Sequence, residues 1–187
     1  MKLHLTAEEM MDYWRLLRGY EPLRSDHAVV RRDGVDLDAL LQKEIDAWYA
    51  RLLDTAPASM LATEDIASSL TAVRHADNSV TVVLPESCRR LLSITLEGWE
   101  RPAVPVDAAD AEATLNAQAN PYSRGGAAEP VVILFPNRLL RLFSLPASVA
   151  DAEVASAVAV VEPDGTYYDF DSSALTTIAS FDITKLS

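Results

Sequence analysis

Val131-Val132-Ile133-Leu134-Phe135-Pro136-Asn137-Arg138-Leu139-Leu140-Arg141-Leu142-Phe143 decides the fold class. Two five-residue runs of β-formers flank a Pro-Asn-Arg turn, the pattern of a β-hairpin. Downstream, Val154 to Val161 reads as another strand, Asp164-Gly165 as a turn and Ser172 to Phe181 as a closing helix. Upstream, Ser68 to His75, the turn signal Ala76-Asp77-Asn78-Ser79, and Val80 to Leu84 read as an earlier hairpin. A helix over Glu64 to Val73 competes with it, because Ile66, Leu70 and Val73 also fit helical spacing. Pro85-Glu86-Ser87 resembles a first helical turn, so a short helix is expected through Leu91, followed by a strand at Leu92 to Leu96.

The pattern towards the N-terminus is helical instead. Thr6 and Glu9 form a T-x-x-E capping box, and Met10, Tyr13, Trp14, Leu17 and Tyr20 then recur at spacings of three and four. Gly19 and Pro22 end that helix, and Leu23 to Gly34 reads as a loop. Asp36 suits the N-cap of a second helix, on which Leu37, Leu40, Leu41, Ile45, Trp48, Leu52 and Leu53 form one stripe up to Thr55 to Pro57. Both tryptophans fall on helix faces, where packing is the preferred role. Helices first and mostly antiparallel strands afterwards define an α+β protein, with a helical bundle over residues 1–67 and a mostly antiparallel β region with long loops over 68–187. The longest loop, Pro102 to Pro130, carries four of the ten prolines and Gly125-Gly126, with a short helix expected at Ala108 to Ala117.

Composition narrows the function. The chain has 187 residues, is 49% apolar and 24% charged, and so is too apolar for wholesale disorder. Its formal net charge of −12 excludes a free-standing nucleic-acid binder, which needs a cationic face. The charge is uneven: net −5 over residues 1–73, −1 over 74–141 and −6 over 142–187. The middle segment holds seven arginines and no lysine, which suits carboxylate pairing at protein interfaces. No signal-peptide pattern and no membrane-length apolar run is present, so a soluble, intracellular protein is expected.

No catalytic, cofactor-binding or metal-binding residue is assigned. Cys88 is the sole cysteine; a helix start and Arg89-Arg90 would lower its pKa, but a buried, inert thiol is the favoured reading. His4, His27 and His75 are too scattered for zinc. The acidic series Glu162, Asp164, Asp169 and Asp171 lacks the ligand spacing of a calcium loop. Ser123-Arg124-Gly125-Gly126 lacks the Lys-Ser/Thr of a phosphate-binding loop.

A longer-range order of motifs stands out. Leu53-Asp54-Thr55-Ala56-Pro57 leads to Val83-Leu84-Pro85-Glu86-Ser87, then Arg90-Leu91-Leu92-Ser93-Ile94, then Leu96-Glu97-Gly98-Trp99-Glu100-Arg101-Pro102. Asn120-Pro121-Tyr122-Ser123-Arg124-Gly125 and Glu129-Pro130-Val131-Val132 follow. This order resembles the neck, head–tail connector or ring proteins of tailed bacteriophages, notably those of gut Bacteroides phages and prophages. The likeness spans residues 37–145; Cys88 stands where the family usually has an aromatic residue. The resemblance implies a non-catalytic virion subunit, without cofactor, assembling as a ring of copies between portal and tail. It would assemble in the bacterial cytoplasm and end in the virion neck, with DNA as passing cargo rather than ligand and no membrane partner. Trp99, Arg101, Tyr122, Arg124 and Arg138 are the expected interface residues, since Trp, Tyr and Arg dominate interface hot spots. Two other classes compete: a small protein- or peptide-binding domain using a free sheet edge near Val131 to Phe143, and an enzyme with converging carboxylates of perturbed pKa.

Overall fold

A computed structural model describes residues 1–19, 36–120, 122–163 and 167–182. The chain forms two compact units, Met1–Ala62 with Pro163–Ser187, and Thr63–Glu162. The C-terminal stretch therefore belongs with the N-terminal helices, whereas the sequence places it with the β region 68–187. The protein is α+β.

In the terminal unit, strand β1 (Lys2–Thr6) runs into helix α1 (Ala7–Leu17) through the expected capping box: Glu9 N–H donates to Thr6 Oγ1, and Thr6 N–H donates to Glu9 Oε2 at 2.9 Å. Helix α2 (Leu37–Thr55) starts at Asp36, whose carboxylate accepts from the Asp38 and Ala39 amides. The two helices are not a bundle by themselves. β1 pairs antiparallel with a strand from the far end of the chain, Tyr167–Asp171, with Leu3 opposite Phe170 and Leu5 opposite Tyr168. The expected closing helix is present over Ser172–Ser180, of the 3-10 type and capped by Asp171. Thr176, Thr177 and Ser180 each donate a side-chain hydroxyl to a carbonyl three residues back, local bonds that compete with the α-helical ladder.

The core of this unit is aromatic. Trp14 is fully buried and meets Trp48 edge-on at 5.8 Å and Phe181 at 5.9 Å, while Trp48 meets Phe170 at 5.3 Å. The tryptophans are thus packing anchors, and Trp48 Nε1 donates to Thr177 Oγ1 at 2.9 Å. The Tyr49 hydroxyl donates to the Asp169 carbonyl and accepts from the Asp169 amide, and burial pushes its pKa up. Tyr20, Pro22, the loop expected over 23–34 and the turn expected at Asp164-Gly165 lie outside the described residues.

The central unit is two sheets around one core. Strands β2 (Glu64–Asp65), β3 (Ala72–Arg74), β4 (Val80–Val83), β5 (Cys88–Leu96), β6 (Val106–Asp107), β7 (Val131–Phe135), β8 (Leu139–Phe143) and β9 (Val154–Val161) form the orders β2-β9-β5 and β3-β4-β8-β7-β6. Following that numbering, Tyr167–Asp171 is β10. Alternation directs Val80, Val82, Leu140, Leu142 and Val132 inward, into one cluster with Leu91, Ile94, Leu96, Ala157 and Ala159.

Two expectations change here, and the rival reading of a helix over Glu64 to Val73 falls. The Glu64 to Val73 helix does not form; Asp65 instead ties β2 to β9, its carboxylate accepting from the Ala157 amide and Ser156 Oγ. The hairpin there is shorter than expected, Ala72–Arg74 against Val80–Val83. The short helix Pro85 to Leu91 is replaced by a tight turn, in which Cys88 N–H donates to the Pro85 carbonyl, and by the first half of β5. The reason is long-range: β9 pairs along β5 from Cys88 to Leu96, and pairing buries Cys88 and Leu91, which a solvated turn of helix would leave exposed. The Pro102 to Pro130 segment is broken up by β6, parallel to β7, and by helix α3 (Glu112–Ala119).

Tyr49→Phe is expected to destabilise the fold by about 1–3 kcal/mol, because the Asp169 backbone loses its partner. Trp48→Ala should cost about 3–5 kcal/mol. Urea unfolding followed by tryptophan fluorescence measures both.

Candidate functional site

Four of the five predicted interface residues, Trp99, Arg101, Tyr122 and Arg124, lie on the turn that follows β5 or on the loop bonded to it. β5 ends at Leu96, and the turn after it passes through Gly98, whose φ of +86° and the closeness of Val149 leave no room for a side chain. The chain then enters the core at Trp99, which is only 8% exposed. The indole faces the core, where the sequence leads one to expect a partner-facing side chain, and its Nε1 donates to the Ser144 carbonyl at 3.2 Å. Ser144 itself adopts φ +76° and donates its hydroxyl to the Gly125 carbonyl at 2.7 Å. Gly125 N–H donates to Gln118 Oε1 of α3, and Glu100 N–H donates to the Ala127 carbonyl at 3.0 Å. The result is a latch. A core tryptophan holds a strained serine, and the serine holds the glycine loop.

The other candidates sit on the outside of this latch. Arg101 reaches Glu129 at 3.6 Å, closing the base of the loop. Within the loop, Asn120 Oδ1 accepts from the Tyr122 amide, Arg124 N–H donates to the Asn120 carbonyl, and Ser123 Oγ donates to the Ala117 carbonyl. These bonds leave Tyr122 98% exposed. Arg124 borders an open cleft of about 480 Å³, with Asp77, Gln118, Gly125, Phe143 and Ser144 on its walls. Asp77 Oδ1 accepts from Ser79 Oγ at 2.6 Å and from its amide, and Oδ2 accepts from Arg141 at 2.8 Å. The Ser79 bonds first, and Arg141 after them, hold its pKa down at about 2.

Arg138 lies elsewhere. It occupies the β7–β8 turn at φ +60°, donates to the Pro85 carbonyl at 2.8 Å, and borders a groove of about 770 Å³ with Arg89, Arg90 and Cys88. Burial raises the Cys88 thiol pKa, with the Arg138 charge pulling the other way. The helix start invoked for activating this thiol is absent, since Cys88 opens a strand and is buried. The groove was hidden from sequence reading by the helix expected at Pro85 to Leu91. Its only local signal was the Arg89-Arg90 pair.

Elsewhere the chemistry is quiet. The shifted carboxyl groups among the described residues, Glu9, Asp65, Asp77 and Asp171, all move downward, each through hydrogen bonds that favour the anion. Of the acidic series at the C-terminal end, Asp169 meets His4 at 2.6 Å, Asp171 meets the Met1 amine at 2.7 Å and Glu162 pairs with Arg89, while Asp164 lies outside the described residues. Among the described residues, no three His, Cys, Asp or Glu side chains are grouped to hold a metal ion. β7 and β8 are interior strands, so the free edge expected near Val131 to Phe143 is not there; β3 and β6 form the edges of that sheet. No protein-family model matches the chain, and no curated protein matches it in sequence.

Gly125→Ala would drive a methyl group into the Glu129 carbonyl and Ser144 Oγ, and is expected to cost about 1–3 kcal/mol in thermal or urea unfolding. For Asp77, the folded pKa lies below the usual 3.8, so its contribution is complete above about 3.8 and disappears as pH falls towards about 2. Asp77→Asn should therefore lower the Tm near neutral pH, with the gap to the parent protein narrowing in acid through that window.

Proposed function

We propose that this protein is a non-enzymatic subunit of a tailed-phage neck or head–tail connector, assembling as a ring of copies between portal and tail and encoded by a phage or prophage. The motif order from Leu53 to Val132 supports the family. The observation that carries the role is the Asn120–Gly126 loop. Its base is latched to the core through Ser144 and Gln118, and it holds an almost fully exposed tyrosine and an arginine outward. A rigid loop bearing Tyr and Arg is the form a contact hot spot takes, since little conformational entropy is lost on docking. The downward carboxyl shifts and the raised Cys88 thiol pKa favour a binding role over acid–base or thiol catalysis.

Residues expected to touch a neighbouring copy are Tyr122, Arg124 and Arg101, with Trp99 holding the loop from behind. Partners are other copies of the chain, the portal and tail proteins. The assembly compartment is the bacterial cytoplasm and the final position the virion neck. No described helix is long and apolar enough to cross a membrane. The acidic excess fits a ring through which DNA passes without binding.

Light scattering of the pure protein, alone and mixed with a cognate portal ring, tests the reading. Association is expected in the mixture, and Tyr122→Ala with Arg124→Glu should weaken it by about 2 kcal/mol or more while leaving the Tm unchanged. A failure to associate with the portal under any condition refutes the proposal.

A further inference from the structure

The cleft that Arg124 borders lies wholly within the central unit, and its volume of about 480 Å³ falls in the range of small-ligand sites. The carboxylate and side-chain amide oxygens on its wall are already engaged. Asp77 accepts from Ser79 and Arg141, Asn78 Oδ1 accepts from Arg74 at 2.6 Å, and Gln118 Oε1 accepts from the Gly125 amide. Those partners are donors, so they also fix which end of each side-chain amide is oxygen and which is nitrogen. The Asn78 and Gln118 NH2 groups, the Arg124 guanidinium and the Gly126 and Ala127 N–H groups have no partner among the described residues. The two serine hydroxyls on the wall, Ser79 and Ser144, give their protons to Asp77 and to the Gly125 carbonyl. What the cleft has left to offer a ligand is predominantly a set of donors.

Charge points the same way. Asp77 is the one carboxylate on the wall, and Arg141 pairs with it at 2.8 Å. Arg124 forms no ion pair among the described residues. Behind Asn78, Arg74 donates to the Val149 and Ala150 carbonyls and to Asn78 Oδ1, all uncharged oxygens. Its hydrogen bonds are satisfied, yet it too forms no ion pair among the described residues. Phe143, Leu145 and Pro146 supply apolar surface on the same wall. No atom beyond its chain neighbours lies within 4 Å of the point where a Gly126 side chain would begin, which lets a ligand oxygen reach the backbone there.

We infer that this cleft binds a small ligand carrying an oxyanion, a carboxylate or a phosphate, on an apolar body. Arg124 and the Gly126 and Ala127 amides take the oxyanion, with the Asn78 and Gln118 NH2 groups as further donors. Phe143, Leu145 and Pro146 take the apolar body. The Ser123-Arg124-Gly125-Gly126 run thereby gains a role that needs neither the lysine nor the metal-holding hydroxyl of a nucleotide-binding loop. Binding involves one copy of the chain and does not rest on the connector reading.

The test titrates the full chain, labelled with nitrogen-15, with benzoate and with phenyl phosphate, and follows the amide and guanidinium resonances by NMR. Saturable binding of at least one probe is expected at about 1 mM or below, with shifts centred on Gly126, Ala127 and the Arg124 side chain. The tighter of the two probes names the oxyanion, and neither benzylamine nor benzyl alcohol should bind. Arg124→Gln is the decisive variant, because its side chain has no partner to lose; affinity should fall roughly tenfold with the Tm unchanged. Arg51→Gln removes the same charge from α2 and should leave affinity unchanged. The inference is overturned if neither probe saturates, if the shifts map elsewhere, if benzyl alcohol binds equally well, or if Arg124→Gln binds as the parent does. An equal loss in Arg51→Gln also overturns it, since only general charge would then be at work. Inorganic phosphate binding as tightly as phenyl phosphate does the same, by reducing the cleft to a simple anion spot. No portal is used, so failure here and failure of the connector reading are separate outcomes.

Discussion

The pairing of β5 with β9 is the constraint on which the central unit rests. Cys88–Leu96 and Val154–Val161 run antiparallel along their full lengths, and Ala157 and Ala159 of β9 are completely buried. Small side chains there let the facing sheet pack Leu140, Leu142, Val80 and Val82 against the same core. The ladder slips three times, between Cys88 and Arg90, Leu91 and Ser93, and Thr95 and Leu96. Such slips bend and twist a strand, and each lies beside something the unit uses: the arginine groove at one end, the Gly98-Trp99 turn at the other. A straight β5 would present neither.

From Trp99 the consequences run outward through single hydrogen bonds. The indole fixes the Ser144 carbonyl, the Ser144 hydroxyl fixes Gly125, and Gly125 fixes the loop that carries Tyr122 and Arg124. These part-buried hydrogen bonds tie the loop to the core, and each one lost leaves a half-buried polar group short of a partner.

How much of this was legible depended on where the partner of each residue lies in the chain. The capping box at Thr6 and Glu9, the Asp36 cap, the 131–143 hairpin and the strand Val154 to Val161 were all readable, because their signals are local and their periods unambiguous. Pro85 to Leu91 was misread as a helix because proline followed by polar residues starts helices and turns alike, and only β9 decides between them. Lys2–Thr6 and Tyr167–Asp171 escaped notice for the same reason, since each strand's partner lies at the opposite end of the chain. Tyr122, Arg101 and Arg124 stand out in the sequence by residue type alone, and the structure places them on or beside one loop. Trp99 is buried as an anchor where the sequence suggests a docking residue, because residue type alone does not distinguish an aromatic that docks from one that anchors.

The ribbon of β1 with β10 has a consequence for the order in which the protein comes into being. During synthesis the first strand emerges at Lys2 and finds its partner only when Tyr167–Asp171 has left the ribosome. Every strand of the central unit lies between Glu64 and Val161, so that unit can close its core while β1 still waits. The helices α1 and α2, bearing Trp14 and Trp48, remain without Phe170 and Phe181 for the same interval. The aromatic core of the terminal unit therefore closes only after Phe181 has been made, and until then Trp14 and Trp48 lack the rings they pack against.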